Sequence, residues 1–234
     1  MKFAHQSATI RQHGKGMIIL ETALETAGLT YVFPDGNGIK NIAFQGKAIT
    51  NFNLTLPAMQ SDLAQEITKD PYKFDFITLT QSYNEKELKD ALMDNIQKFL
   101  LELGNGFAFV GREYRIEIGS TENFIDMLFY HIHLHCYVVV EVKVTEFESS
   151  YAGQLGTYVV AVNHQLKTEK DEPTLGLLVC KSKDDIKAQY ALEASSQPLG
   201  VSAYELSKLI PENFKGSLPS IDEIESELRK DTEG

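Results

Sequence analysis

The sequence predicts an α/β domain in which helices flank a mixed central β-sheet. Three features lead there: a strongly periodic helical stretch over 85–103, short β segments between 107 and 144, and then helix, strand, helix and strand in alternation to residue 204.

The elements follow in order. Residues 1–50 are a small N-terminal segment of weak periodicity, in which 18–29 reads as a short helix and 31–39 as strand ends around a Pro/Gly turn. Residues 51–75 read as a helical connector, with Ser61 or Asp62 at the start of a helix and Pro71 marking its end. The main domain is expected over 76–210. Its first helix carries Leu88, Leu92, Ile96, Phe99 and Leu103 at three- and four-residue steps, and Gly104 supplies the stop. Glu87, Ala91 and Asp94 lie on the neighbouring stripe. Strand segments follow at 107–110, 114–118, 124–130 and 137–144, the last rich in β-branched and aromatic residues. Residues 150–166 read as a helix with Tyr151, Leu155, Tyr158, Val159 and Val162 inward, 174–180 as an apolar strand, 184–194 as a helix and 198–204 as a strand. Residues 211–234 form an acidic tail, where Pro219 opens a short helix over 220–230.

A composition of 43% hydrophobic and 24% charged residues excludes a disordered chain. With 22 basic against 33 acidic residues the net charge is -11, which argues against a surface coated in positive charge for nucleic acid. The excess lies in 76–210 (-7) and 211–234 (-4), while 1–75 is balanced. Binding to DNA is then weak and salt-sensitive unless a divalent ion, a second subunit or a partner supplies positive field. Cys136 and Cys180 sit in apolar runs without metal-ligand spacing and read as buried thiols of a reducing compartment. The first residues lack the apolar core of a signal peptide, and the longest apolar stretch, 124–144, is broken by Asp126, three histidines, Glu141 and Lys143. A cytoplasmic protein with no membrane partner is expected.

The chemistry lies in that broken stretch. If the strands around Asp126 and Glu141 form a hairpin centred between His133 and Leu134, opposed residues have numbers summing to 267, and Asp126 faces Glu141. Opposed side chains in an antiparallel pair have Cβ atoms roughly 4.5–5.5 Å apart, close enough for two carboxylates to share one cation. Lys143, two residues on, points to the same face. His133-Leu134 is not a preferred two-residue turn, and a slip of one residue breaks the alignment. Carboxylates inside apolar strands need neutralising, and a hard divalent ion, Mg2+ with Mn2+ as its substitute, meets that need with room for water and phosphate. The chemistry expected is metal-assisted phosphodiester hydrolysis.

Phe-Ile-Asp126-Met-Leu-Phe-Tyr-His followed by Cys-Tyr-Val-Val-Val-Glu141-Val-Lys143 resembles the D…(D/E)xK core of the PD-(D/E)XK nuclease superfamily. Further runs, among them Ala-Ile-Thr-Asn-Phe-Asn-Leu-Thr-Leu-Pro, Lys-Phe-Asp-Phe-Ile-Thr-Leu, Phe-Leu-Leu-Glu-Leu-Gly-Asn-Gly-Phe-Ala-Phe-Val-Gly-Arg and Tyr-Ala-Gly-Gln-Leu, resemble the YhcG-type nuclease family from about residue 47 to 211. The resemblance implies a restriction-endonuclease-like core. Asp126, Glu141, Val142 and Glu87 form the implied metal set, with Asp94 a weaker candidate on the Glu87 stripe, and Lys143 is the implied catalytic lysine. Gln154 matches the polar residue that many members place beside that lysine. It also implies a DNA substrate, a homodimer, and partners in restriction-modification or DNA repair. Residues 1 to about 45 depart from the family's N-terminal helical domain. The alternative reading is a nuclease-fold DNA-binding or assembly subunit with little activity of its own. RNA as substrate shares the same chemistry at phosphorus.

Other motifs read as structure. His131, His133 and His135 fall at the predicted turn and read as exposed turn residues rather than a metal site. Gly104, Gly106 and Gly111 follow a helix and enter strands, the reverse of a phosphate-binding glycine loop. Lys167, Lys170, Lys181, Lys183, Lys187, Arg112 and Arg115 form a basic rim or plain solvated surface.

Overall fold

The computed structural model of the protein describes residues 48–211, and Ile49 and Thr50 pair with Val201 and Gly200. The readings at 18–29, 31–39 and 220–230 lie outside the described residues. In chain order the elements are β1 (Ile49–Thr50), α1 (Phe52–Thr55), α2 (Ala58–Glu66), β2 (Tyr72–Lys73), β3 (Leu79–Thr80), α3 (Glu85–Asp94), α4 (Ile96–Leu103), β4 (Phe107–Ile118), β5 (Thr121–His131), β6 (Cys136–Glu146), α5 (Ser149–Gln165), β7 (Leu175–Ser182), α6 (Asp185–Glu193), β8 (Leu199–Glu205) and β9 (Leu209–Ile210). Seven strands make one mixed sheet in the order β1-β8-β7-β6-β5-β4, with β2 also against β8. β4, β5 and β6 form an antiparallel meander, whereas β6, β7 and β8 are parallel and need the crossovers α5 and α6. The fold is the expected α/β arrangement, a mixed sheet flanked by helices.

Period-2 alternation divides the core. Val138 and Val140 join Leu88, Leu92, Phe99 and Leu103 of α3 and α4 in one layer. Val139 joins Leu155, Val159 and Leu192 of α5 and α6 in the other. α5 approaches the sheet closely at Gly176, where an added Cβ would meet Leu199 at 2.6 Å and Leu155 at 2.8 Å.

Three elements differ from expectation. The helix over 85–103 is two helices, because the Asn95 side chain turns back to donate to Ala91 O at 3.0 Å and its backbone leaves helical geometry at φ -116°, ψ 33°. The segments at 107–110 and 114–118 are one strand, β4, which stays continuous through a bulge between Phe109 and Gly111. The stretch 51–75 carries α1, α2 and also β2, which runs parallel to β8, and α2 starts at Ala58, directly after Pro57.

The β5–β6 hairpin has the expected register: Met127 pairs with Val140, Phe129 with Val138 and His131 with Cys136. It closes through four residues, 132–135, with His135 at φ 50°, so the unfavourable two-residue turn never forms. His131 is buried, in contrast to the exposed turn residue expected. Its Nδ1 accepts from Leu134 N–H at 3.1 Å, which leaves Nε2 to donate to Asn105 O at 3.0 Å. Gly106 is required beneath it, since a Cβ there would meet Nε2 at 2.7 Å.

Candidate functional site

The β5–β6 ladder stops at Met127–Val140, one step before Asp126 and Glu141. From there the side chains take over the bonding. Asp126 N–H donates to Glu141 Oε1 at 3.0 Å, and Val142 N–H donates to Asp126 Oδ2 at 3.0 Å. The alternation of β5 breaks at the same point: Ile125 and Met127 lie in opposite core layers, although residues two apart on a regular strand share a face. The splayed end brings both carboxylates together out of water, Asp126 at 7% and Glu141 at 3% exposure.

Two lysines answer this buried negative charge. Lys89 Nζ of α3 donates to Asp126 Oδ1 at 2.7 Å and pairs with Glu85 Oε1 at 3.2 Å. Lys143 Nζ lies 3.7 Å from Glu141 Oε2, 3.5 Å from Glu85 Oε1 and 5.6 Å from the ring centroid of Tyr151. The Tyr151 hydroxyl and Thr145 Oγ1 stand 2.9 Å apart, which fixes that ring. Burial pushes the Glu141 carboxyl above its ordinary range, and the adjacent Asp126 charge adds to this against the two lysines. Burial opposes both ammonium groups, yet Asp126 and Glu85 at Lys89, and Glu141, Asp126 and Glu85 at Lys143, hold them above their ordinary values.

Each carboxylate therefore has one oxygen fixed by a backbone N–H and one turned toward a lysine. The turned oxygens, Asp126 Oδ1 and Glu141 Oε2, are hard donors of the kind that bind Mg2+-like ions, which use one or two carboxylates and complete their shell with water and phosphate. That donor set fits a divalent ion. Among the described residues no three His, Cys, Asp or Glu side chains gather as a metal cluster.

The remaining candidates are distributed as follows. The side chain of Val142 is in the core, and its N–H is spent on Asp126. Glu87 closes a capping box with Asn84 at the start of α3, accepting from Asn84 N–H at 3.0 Å while Glu87 N–H donates to Asn84 Oδ1 at 2.9 Å. The α3 acid that reaches the lysines is Glu85, and Asp94 is exposed at the far end of the helix. Gln154 is exposed on α5 and donates to the Tyr158 hydroxyl at 2.9 Å. Of the basic rim, Lys183 is held by Asp70 and Asp185, Arg112 by Asp90, and Arg115 by Glu117 and Glu122.

Glu85, Lys89 and Tyr151 are site residues that the sequence reading missed. A signal for two of them exists: 85, 88, 89 and 92 form an i, i+3, i+4, i+7 set, so Glu85 and Lys89 share the face of the buried Leu88 and Leu92. A charged pair within an apolar stripe needs a partner across the core.

The chain is similar to several known proteins. The solved EndoMS-dsDNA2 complex is 21% identical over 58% of this chain and 48% of that chain, with a TM-score of 0.38. A repair endonuclease from Pyrococcus abyssi is 20% identical over 56% of this chain and 50% of that one, with a TM-score of 0.36. "Putative nuclease YhcG" of Escherichia coli (strain K12) is 34% identical over 150 residues, which are 64% of this chain and 40% of the relative's length. The family model described as the YhcG PDDEXK nuclease domain matches residues 65–219, more than half of the sequence. The chain thus belongs to the YhcG family of PDDEXK nuclease domains.

Proposed function

We propose that this protein is a metal-dependent endonuclease that hydrolyses phosphodiester bonds in DNA, with Mg2+ as its working ion and Mn2+ as a substitute. The observation that carries the reading is the buried pair Asp126 and Glu141, each tethered by one oxygen to the main chain and presenting the other to a lysine. Asp126 and Glu141 would hold the divalent ion, which would supply polarisation of the phosphoryl oxygen and a water acidic enough to attack at neutral pH. The chain does the rest. The backbone tethers keep Asp126 and Glu141 from reorienting as charge develops. Lys143, held between Glu141, Glu85 and the Tyr151 ring, orients the attacking water or stabilises charge on the phosphoryl group. We assign Gln154, one turn beyond Tyr151 on α5, to contact with the nucleic acid backbone. The family resemblance supports DNA as substrate, a homodimer as the working form, and restriction-modification or repair as its context. The two buried free cysteines fit a reducing, cytoplasmic setting. Among the described residues no helix is long and apolar enough to cross a membrane.

The test is purified protein on supercoiled plasmid, single-stranded DNA and RNA, with Mg2+, Mn2+ or EDTA. DNA is cut only with metal, and Asp126→Asn, Glu141→Gln and Lys143→Ala each slow cutting by about 100-fold or more. Uncut DNA, together with no effect of Lys143→Ala, sinks the enzyme reading in favour of an assembly subunit. Cleavage of RNA alone overturns the DNA assignment.

A further inference from the structure

Lys89 occupies the one Asp126 oxygen that the main chain leaves open. Val142 N–H holds Oδ2, and Lys89 Nζ lies on Oδ1 at 2.7 Å, with its side chain only 15% exposed. A divalent ion held by Asp126 and Glu141 would draw on that same Oδ1, the oxygen not bonded to the main chain. Lys143 has no such conflict, since it stands 3.7 Å from Glu141 and leans on Glu85 and Tyr151.

The surroundings of Lys89 give it a second place to rest. Glu85 Oε1, four residues earlier on α3, is 3.2 Å from Nζ. The helix itself stays put, because the Asn84–Glu87 capping box fixes its start and the fully buried Leu88 and Leu92 lock its inner face. Release of Asp126 therefore takes rotation of a flexible four-carbon stem toward Glu85 and no movement of the backbone. The charge balance also bears on which ion displaces it. At Asp126 Oδ1 a monovalent ion brings no more charge than the ammonium it replaces, whereas a divalent ion brings one unit more.

We propose that Lys89 is the resident counter-ion of the cation-free site, that its ammonium competes with the metal for Asp126 Oδ1, and that it thereby sets the affinity for the divalent ion. This rests on the metal-dependent reading above. Lys89 is a positioning residue here: it acts through Asp126, on the binding step.

The experiment is calorimetric titration of Mn2+ into the full chain, without nucleic acid, for the wild type, Lys89→Met, Lys86→Met and Asp126→Asn. Lys89→Met keeps the stem and removes the charge. Lys86, 78% exposed and paired with Asp90, controls for loss of one positive charge on the same helix. Lys89→Met binds Mn2+ about ten-fold more tightly, equivalent to about 1.4 kcal/mol, while Lys86→Met matches the wild type and Asp126→Asn loses binding. Melting adds a readout independent of affinity: relative to the wild type, Lys89→Met melts lower in EDTA and gains more from saturating Mn2+. Lys89→Gln replaces Lys89→Met should the latter fail to fold. Equal or weaker affinity in the Lys89 variant, or the same gain in Lys86→Met, overturns the proposal and leaves the metal reading intact. Absence of Mn2+ uptake by the wild type overturns both.

Discussion

Glu141→Gln separates the cost of the site from its use. In the wild type without metal, Glu141 is buried beside Asp126, and its carboxyl is held above its ordinary value of 4.5 by burial first and by the Asp126 charge second. A group whose pKa is higher in the folded chain than in the unfolded one stabilises the fold fully below the unfolded value. That contribution is lost as the pH rises through the folded value. The metal-free wild type should thus lose stability from pH 4.5 upward, and the amide should not, because it keeps an oxygen for Asp126 N–H and carries no charge. Each unit of upward shift is worth about 1.4 kcal/mol. For a domain of this size 1 kcal/mol moves Tm by about 2–4 °C, so one unit alone appears as roughly 3–5 °C. The assay is thermal melting in EDTA from pH 4.5 to 8.5, scored as the difference between variant and wild type. That difference should grow with pH in favour of Glu141→Gln, and saturating Mn2+ should reverse it by stabilising only the wild type. A difference that is flat with pH, or a variant that melts lower at pH 8 in EDTA, refutes the argument that Glu141 is held against its charge.

Three further predictions concern the frame around the site. Gly176→Ala places a Cβ within 2.6–3.0 Å of Leu199, Leu155 and Val159, and should cost about 1–3 kcal/mol by overpacking, read as a lower urea midpoint with an unchanged m-value. Burial lowers the His131 pKa; stability is therefore complete above its ordinary value of 6.5 and falls as the pH drops below it, and His131→Gln should remove that slope in urea titrations between pH 5 and 8. Tyr151→Phe keeps the ring that faces Lys143 but loses its tether to Thr145 Oγ1, and should cut DNA within about two-fold of the wild-type rate. Tyr151→Leu should lower kcat about two- to five-fold with KM little changed, in line with a cation–π contact of about 0.5–1 kcal/mol.

The hairpin shows how far sequence reasoning reaches. The pairing sum of 267 follows from centring the hairpin between His133 and Leu134, and Met127–Val140, Phe129–Val138 and His131–Cys136 keep it, although apolar runs at 127–129 and 138–140 do not by themselves select a register. The loop that closes it was not legible, because a left-handed residue at His135 has no strong local sequence signal. The splay at Asp126 was equally hidden. It depends on the side chains of two residues replacing ladder bonds, a tertiary choice that a strand pattern cannot express. The acids of α3 show the converse case. Glu85, Glu87, Asp90 and Asp94 are equivalent as composition, but Leu88 and Leu92 fix the rotation of the helix and so turn Glu85 and Lys89 toward Asp126 and Lys143. Glu87 is assigned to the cap by its position three residues after Asn84. The polar residues of the site share one property: each interrupts an apolar face, at 85 and 89 on α3, at 126 on β5, and at 141 and 143 on β6. Read one element at a time, each interruption is a surface residue on an imperfect pattern. Read across elements packed in adjoining layers, their charges balance nearly to zero, and only an arrangement in which they meet makes their burial affordable.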